Sequence, residues 1–150
     1  MKITADQIRE LKEKTGAPVM RAKKVLEELN GDLKKAEKIL KKEGFEKVAK
    51  RAGRETSAGV VATYNHHNNK IVGVVELMCE TDFVARNELF LSVAHDLAMQ
   101  AASLGEKDFS GQDFIKDPSR KVQDLVKELI AKTGENVQLG RVFRIELGVK

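Results

Sequence analysis

The first 44 residues carry hydrophobic side chains at the spacing of three short helices. Thr4 and Gln7 form the pattern of a capping box before the first helix. Gly16, Asn30-Gly31 and Gly44 mark the three helix ends. The side chains predicted to face inward are Ile8 and Leu11, then Val19, Ala22, Leu26 and Leu29, and then Leu33, Ala36, Ile39 and Leu40. So short a segment buries little apolar surface, and we expect a small three-helix module over residues 1–44.

Residues 45–56, with the sequence FEKVAKRAGRET, are mostly basic or small. We interpret them as a basic linker, extended or helical, that lets the N-terminal module sit apart from the rest. Two roles stay open for the basic side chains of this linker, a solvated helix face and a binding patch. These side chains are Lys47, Lys50, Arg51 and Arg54.

Residues 57–150 open with a strand pattern. AGVVATYN (58–65) and KIVGVVELMC (70–79) are rich in Val and Ile and flank the polar turn HHNN, which predicts a β-hairpin. Near the end, apolar side chains alternate with polar or small ones, which predicts a half-buried strand. Its predicted inward residues are Val137, Leu139, Phe143, Ile145 and Leu147.

Two helices are predicted between this hairpin and the last strand. Asn87 is a candidate N-cap for the first, and residues 105–119 are predicted to form a loop before the second. The first helix has an apolar face of Phe90, Val93, Ala94, Leu97, Ala101 and Leu104, and a polar face of Ser92, Asp96 and Gln100. The second has the apolar stripe Val122, Leu125, Val126, Leu129 and Ile130. We therefore predict an α+β protein, in which residues 57–150 form a core subdomain of a small antiparallel sheet with packed helices.

Charge is distributed unevenly along the chain. Residues 1–54 hold 16 Lys and Arg against 9 Asp and Glu, whereas residues 55–150 hold 11 against 14. This difference favours an acidic partner for the N-terminal part, either a protein or a nucleic acid. No apolar run approaches the ~20 residues of a membrane span, and the first ten residues lack the apolar stretch of a signal peptide. We expect a cytoplasmic protein that does not contact membranes.

The residue types needed for catalysis or metal binding do not assemble into a known pattern. His66 and His67 are adjacent and lack a nearby carboxylate, so turn residues are a better interpretation than metal ligands. His95 is expected at the surface of its helix. Cys79 is predicted to be a buried small hydrophobe, with an intermolecular disulfide or a reactive thiol as the alternative. We expect no cofactor, no metal and no enzymatic activity.

Phe83 stands in the stretch MCETDFVARN, between the predicted strand end at Cys79 and the helix start at Asn87. The pattern of residues alone favours burial of a lone aromatic ring between the sheet and the helix. Exposure for binding is the alternative, because connections at strand ends often carry binding residues.

Three segments are similar to translation elongation factor Ts, the family of guanine-nucleotide exchange factors for elongation factor Tu. TDFVARN resembles the family signature, GENVQLGRV (134–142) resembles a core segment, and residues 11–40 resemble the family's ubiquitin-associated-like three-helix module. The resemblance implies that Asp82 and Phe83, supported by Thr81 and Val84, wedge near the partner's switch II helix and disturb its magnesium and phosphate site. It also implies that Arg86 and Asn87 finish the loop and cap the next helix.

In the same family the N-terminal module contacts the partner's nucleotide-binding domain, which implies contacts by Lys12, Val19 and Met20. The family commonly has T-G-A-G-M-M where this chain has T-G-A-P-V-M, and Lys12 stands where an arginine is frequent. Longer members carry a second core subdomain and a coiled coil, for which this chain has no room. Short members pair instead, which predicts a homodimer here.

The alternative function is a ribosome- or RNA-associated binding module that uses the basic N-terminal part. Such a module would bind RNA with an affinity that falls steeply as salt is added. The only aromatic residue of that part is Phe45, so it lacks the interleaved aromatic side chains on which bases stack. We therefore do not expect direct contact with nucleic acid.

Overall fold

The computed structural model describes residues 2–150, and the α+β architecture predicted from the sequence is confirmed. Three helices come first: α1 (Ala5–Thr15), α2 (Val19–Glu28) and α3 (Leu33–Arg51). The hairpin β1 (Ala58–Asn65) and β2 (Ile71–Cys79) follows, then a single turn α4 (Asp82–Ala85) and the long helix α5 (Glu88–Leu104). The chain ends with the small hairpin β3 (Asp113–Phe114) and β4 (Asp117–Lys121), α6 (Val122–Thr133) and β5 (Val137–Glu146).

The three N-terminal helices enclose a small core of their own. Its buried residues are Leu11, Ala22, Val25, Leu26, Ala36 and Leu40. The capping box is confirmed, since the Thr4 hydroxyl accepts from the Gln7 amide and the Gln7 side chain accepts from the Thr4 amide. Val19 and Ile39, predicted to face inward, are 47% and 38% exposed, so those two positions were wrong.

Helix α3 does not end at Gly44 as predicted but continues to Arg51, so it includes the first seven residues of the segment interpreted as a linker. The continuation lies against α6, where the Arg51 Nη1 donates to the carbonyl of Ile130 at 3.0 Å. A Cβ atom on Gly44 would meet the Ala131 side chain at 3.3 Å, and one on Gly16 would meet the Lys132 Cα at 2.8 Å. The three-helix unit therefore packs directly on the rest of the chain. The division of the chain at residues 44 and 57 stays a prediction.

The sheet has the order β1-β2-β5 and is antiparallel throughout. Its inner face packs on α5, and Gly73 lets the two approach closely, because a Cβ atom there would lie 2.1 Å from the Ala98 carbonyl oxygen. The sheet, α4, α5 and α6 share the main core, which includes Val75, Leu77, Phe90, Leu97 and Leu129.

A β-bulge in β5 overturns part of the predicted alternation. The register between β2 and β5 shifts between Val75 and Leu77, so that Gly140 and Arg141 both lie opposite Glu76. Val137 and Leu139 face the core, but Phe143, Ile145 and Leu147 after the bulge are 48%, 63% and 73% exposed. A bulge transfers all later side chains to the opposite face, because strand side chains alternate with a period of two.

Three further predictions about α5 and the segment after it were wrong. Gln100, predicted on the polar face of α5, is fully buried, and its amide bonds the Asp113 carbonyl and the Ile115 amide of the β3–β4 hairpin. That hairpin occupies part of residues 105–119, which were predicted as a loop. Leu104, predicted to face inward, is 53% exposed at the end of the helix.

Candidate partner-binding surface

The segment after β2 forms one helical turn, α4, rather than an irregular loop. Thr81 is its N-cap, with extended backbone angles, and its hydroxyl accepts from the Val84 amide at 3.3 Å. Arg86 ends the turn, and its amide donates to the Asp82 carbonyl. Asn87 then caps α5 as predicted, with its side-chain oxygen accepting from the Leu89 amide at 2.9 Å.

The turn has a buried side and an exposed side. Val84 and Ala85 are 6% and 5% exposed and belong to the main core. Asp82 is exposed, and Phe83 is 84% exposed, the most of any Phe in the described residues. The burial of Phe83 that the residue pattern favoured is therefore wrong. The Val84 side chain packs in the core and thereby anchors the turn. Phe83 and Asp82 are the side chains of the turn that are accessible to a partner.

The residues just before the turn are held by the connection between α6 and β5. The Glu135 carboxylate accepts from the amides of Glu80 and Thr81 at 3.2 and 3.0 Å, and from the Thr81 hydroxyl at 2.7 Å. In the opposite direction, the Asn136 amide donates to the Glu80 carboxylate at 3.1 Å. Sequence reasoning singled out the GEN segment only as part of a resemblance and did not assign these contacts.

Cys79 lies at the end of β2, directly beneath this connection. The side chain is fully buried, and its Sγ donates to the Thr81 carbonyl at 3.2 Å. Burial raises the pKa of the Cys79 thiol, and the nearby Glu135 carboxylate raises it further. The thiol is therefore protonated near neutral pH and packs as a small hydrophobe, as predicted.

A second group of predicted contact residues lies on the three-helix unit. Val19 and Met20 open α2 and are 47% and 75% exposed, and Lys12 is exposed on α1. These residues therefore flank the turn between α1 and α2, where Gly16 adopts a left-handed conformation. These residues belong to the three-helix unit, whereas Phe83 belongs to the turn after β2. The predicted site residues are therefore divided between two parts of the chain.

The histidines lie at the far end of the hairpin and along α5. His66 and His67 have ring centroids 4.1 Å apart, and the Tyr64 hydroxyl is 3.2 Å from the His66 Nδ1. His95 is exposed, as predicted. Across residues 2–150 no three His, Cys, Asp or Glu side chains are grouped closely enough to hold a metal ion. No helix in that range is long and apolar enough to cross a membrane.

Comparisons with known proteins converge on one family. A family model described as elongation factor TS matches residues 80–150. Elongation factor Ts of Maridesulfovibrio salexigens is 38% identical, over 98% of this chain and 95% of that protein. Elongation factor Ts of Thermotoga maritima is 37% identical, over 99% and 98%. Elongation factor Ts of Clostridium botulinum, strain Langeland, is 41% identical over 97% of this chain but only 48% of that protein.

The relatives are longer than this chain even where they align over almost their whole length. The alignments with the Maridesulfovibrio and Thermotoga proteins run over 195 and 194 positions, against 150 residues here. Both relatives therefore carry internal positions that have no counterpart in this chain.

Proposed function

The chain belongs to the elongation factor Ts family, and we propose that it is a guanine-nucleotide exchange factor that promotes release of GDP from elongation factor Tu. It acts by binding rather than by covalent chemistry, in the cytoplasm, where translation takes place. An exchange factor binds the nucleotide-free partner most tightly, and by reciprocity its binding weakens the partner's hold on the nucleotide.

The observation that carries the proposal is the exposure of Phe83 on a turn whose next two residues, Val84 and Ala85, are buried in the main core. A ring that is 84% exposed contributes little to the stability of the free chain. Exposed aromatic side chains on a well-supported backbone are the type of residue that dominates protein interfaces. We propose that Phe83, with Asp82 beside it, enters the partner near switch II and disturbs the magnesium and phosphate site.

Lys12, Val19 and Met20 provide the second proposed contact, with the partner's nucleotide-binding domain. Met20 is the most exposed large apolar side chain among the described residues of the three-helix unit, and methionine adapts its shape to a partner surface. Lys12 supplies a point charge in place of the planar fork of an arginine, so we expect it to contribute less than the two apolar residues.

The basic N-terminal part uses several of its charges internally, which favours a protein partner over a nucleic acid. Lys14 pairs with Glu10 at 2.6 Å, Lys41 pairs with Glu37 at 2.9 Å, and Arg21 pairs with Glu43. Cations held in pairs are less available to phosphate groups.

The sharpest test is Phe83→Ala, measured by release of fluorescently labelled GDP from elongation factor Tu. We expect exchange to slow roughly 30-fold or more, as for loss of an interface hot spot, with unchanged thermal stability. Phe45→Ala is the control for loss of an aromatic ring elsewhere on the surface, because Phe45 lies on α3 and is 36% exposed. Unchanged exchange with Phe83→Ala would reject the wedge.

We also propose a homodimer, formed through the outer face of the sheet. Val61, Phe143 and Ile145 on this face are 64%, 48% and 63% exposed, and Val72 and Val74 of β2 lie between the strands that carry them. The ion pair between Glu76 and Arg141 borders this patch, and an exposed apolar patch with a polar rim is typical of a protein interface. A second copy fits best, since two such faces pack as a sandwich of sheets.

Light scattering tests the homodimer with Phe143→Asp. We expect this variant to have the mass of one chain at concentrations where the unmodified protein has the mass of two. Leu104→Asp is the control, because Leu104 is similarly exposed but lies at the end of α5. A single-chain mass for the unmodified protein at every concentration would contradict the proposal.

A further inference from the structure

We propose that Glu135 is a positioning residue for nucleotide exchange, which fixes the turn that presents Phe83. The inference rests on the proposed function of Phe83 but concerns a residue in a different part of the chain. Glu135 lies in the connection between α6 and β5, 52 positions after Phe83 in the sequence. It contacts the turn only through the residues that precede it.

A single turn of helix is not stable by itself. Helix formation is unfavourable until several successive hydrogen bonds form, so a four-residue segment depends on its surroundings. Here Val84 and Ala85 fix the end of α4 in the core, while its beginning depends on the N-cap, Thr81. The direction of the Phe83 ring therefore depends on where Thr81 lies.

Glu135 accepts hydrogen bonds from two groups of Thr81, the backbone amide and the side-chain hydroxyl. One carboxylate oxygen accepts from the Thr81 amide, and the other accepts from its hydroxyl at 2.7 Å. The hydroxyl hydrogen is thereby directed to Glu135, which leaves a lone pair of the same oxygen for the Val84 amide. The carboxylate thus orients the atom that caps α4, and hydrogen bonds to an ionised acceptor are stronger than neutral ones.

The connection that carries Glu135 is itself held from both sides. Asn136 is 2% exposed, and its Nδ2 donates to the Arg54 carbonyl at 2.8 Å while its amide donates to the Glu80 carboxylate. The Glu135 amide donates to the Thr133 hydroxyl. A carboxylate on a fixed backbone can position its partners, whereas one on a free loop would follow them.

A purely structural role, joining β5 to β2, does not require these contacts. The two strands already pair as far as Cys79 and Val137, beside the connection. The Glu135 carboxylate reaches beyond the end of that ladder to the amides of Glu80 and Thr81, which have left the strand. Its contacts therefore act on the turn rather than on the sheet.

The functional test compares Glu135→Ala and Glu135→Gln with Glu128→Gln in the labelled-GDP release assay. Glu128, on α6, accepts from the Arg120 Nη1 at 2.6 Å, so its variant also removes a charge and an ion pair, from the helix that precedes Glu135. We expect release to slow roughly tenfold for Glu135→Ala. Glu135→Gln, which keeps one acceptor oxygen, should be intermediate, and Glu128→Gln unchanged.

An independent readout uses the absence of Trp from the sequence. Phe83→Trp introduces a single tryptophan at the position in question, which can be excited at wavelengths that Tyr64 does not absorb. Its anisotropy decay in the free chain reports nanosecond motion of the ring. Adding Glu135→Ala should increase the amplitude of this motion, while adding Glu128→Gln should not. Melting temperatures of all variants separate this effect from global destabilisation.

The two measurements distinguish failure of this inference from failure of the proposed function. If Phe83→Ala slows release but Glu135→Ala matches Glu128→Gln, the positioning role is rejected and the wedge stands. If Phe83→Ala leaves release unchanged, the proposed function is rejected. Unchanged anisotropy with Glu135→Ala rejects the positioning role in either case.

Discussion

The two surfaces proposed to meet elongation factor Tu rest on supports of different size. The turn that carries Phe83 is continuous with a core of seventeen buried residues, two of which, Val84 and Ala85, belong to the turn itself. Val19 and Met20 stand on the three-helix unit, whose core within the described residues has six. The difference indicates one rigidly held contact and one contact on a less stable unit.

The smaller unit compensates through its contact with α6. Gly16 and Gly44 let its backbone approach Lys132 and Ala131 closely. The Arg51 guanidinium also donates a hydrogen bond to the Ile130 carbonyl of α6. Units of this size have little stability of their own, because the fraction of surface buried on folding decreases as a chain becomes shorter. Loss of the smaller unit should therefore leave the Phe83 turn in place, whereas loss of the larger core should affect both surfaces.

The largest expected effect is that of Phe90→Ala, which breaks the support of the Phe83 turn. Phe90 is fully buried in the main core, so we expect the free energy of unfolding to fall by about 3–5 kcal/mol. Urea unfolding followed by circular dichroism measures it. Phe83→Ala is the matched control, with an expected change of about 0.5 kcal/mol or less. Equal losses for both would mean that Phe83 is also a core residue.

Leu26→Ala should act next most strongly, and only on the smaller unit. Leu26 is fully buried among the three helices, and we expect a loss of about 2–4 kcal/mol there. Hydrogen exchange should show faster exchange in α1 and α2 with protection retained in β2 and α5. Uniform loss of protection over the whole chain would contradict the independence of the two cores.

Met20→Ala should weaken binding to elongation factor Tu without destabilising the chain. At 75% exposure the side chain contributes little to folding, and we expect about a fivefold loss of affinity, or about 1 kcal/mol. Titration calorimetry with the nucleotide-free partner measures it. Leu104→Ala, an exposed apolar residue on α5, should bind normally. A loss of affinity as large as that caused by Phe83→Ala would contradict the smaller contribution expected of the Met20 surface.

The smallest effect concerns pH and the smaller unit. The hydrogen bond from Arg21 lowers the pKa of the Glu43 carboxyl below its ordinary value of 4.5. The pair therefore stabilises the folded state above the unfolded pKa, and this contribution is lost as pH falls through the lowered value. Glu43→Gln should flatten the dependence of melting temperature on pH below the ordinary carboxyl value of 4.5. Glu46→Gln, at an exposed position on the same helix, should leave its slope unchanged.

Local sequence patterns predicted most elements because their causes are local. The capping box at Thr4, the hairpin around HHNN and the cap at Asn87 depend on residues within a few positions of each other. The end of α3 was not predictable in this way. Gly44 interrupts the apolar pattern, but the contact with Ala131 of α6 favours a glycine inside the helix.

The errors at Gln100 and in the Phe83 turn have the same physical origin, namely partners distant in sequence. Gln100 is polar, but the β3–β4 hairpin satisfies its amide and so permits burial. The residue pattern favoured burial of Phe83, and only the resemblance implied a contact role. The carboxylate of Glu135, which holds Thr81, comes 54 residues later, and no local pattern connects them.

The bulge at Gly140 determines which apolar side chains of β5 face the core and which face solvent. Deleting Gly140 would remove the bulge but leave Phe143 on the outer face, because Arg141 alone would then lie opposite Glu76 and Val142 would keep its place opposite Val75. A strand that kept all its residues but lost the bulge would instead turn the Phe143 ring toward the core. Arg144, whose guanidinium now donates to the Ala102 carbonyl, would then turn toward solvent. The extra residue of the bulge therefore determines which of these two side chains reaches the core.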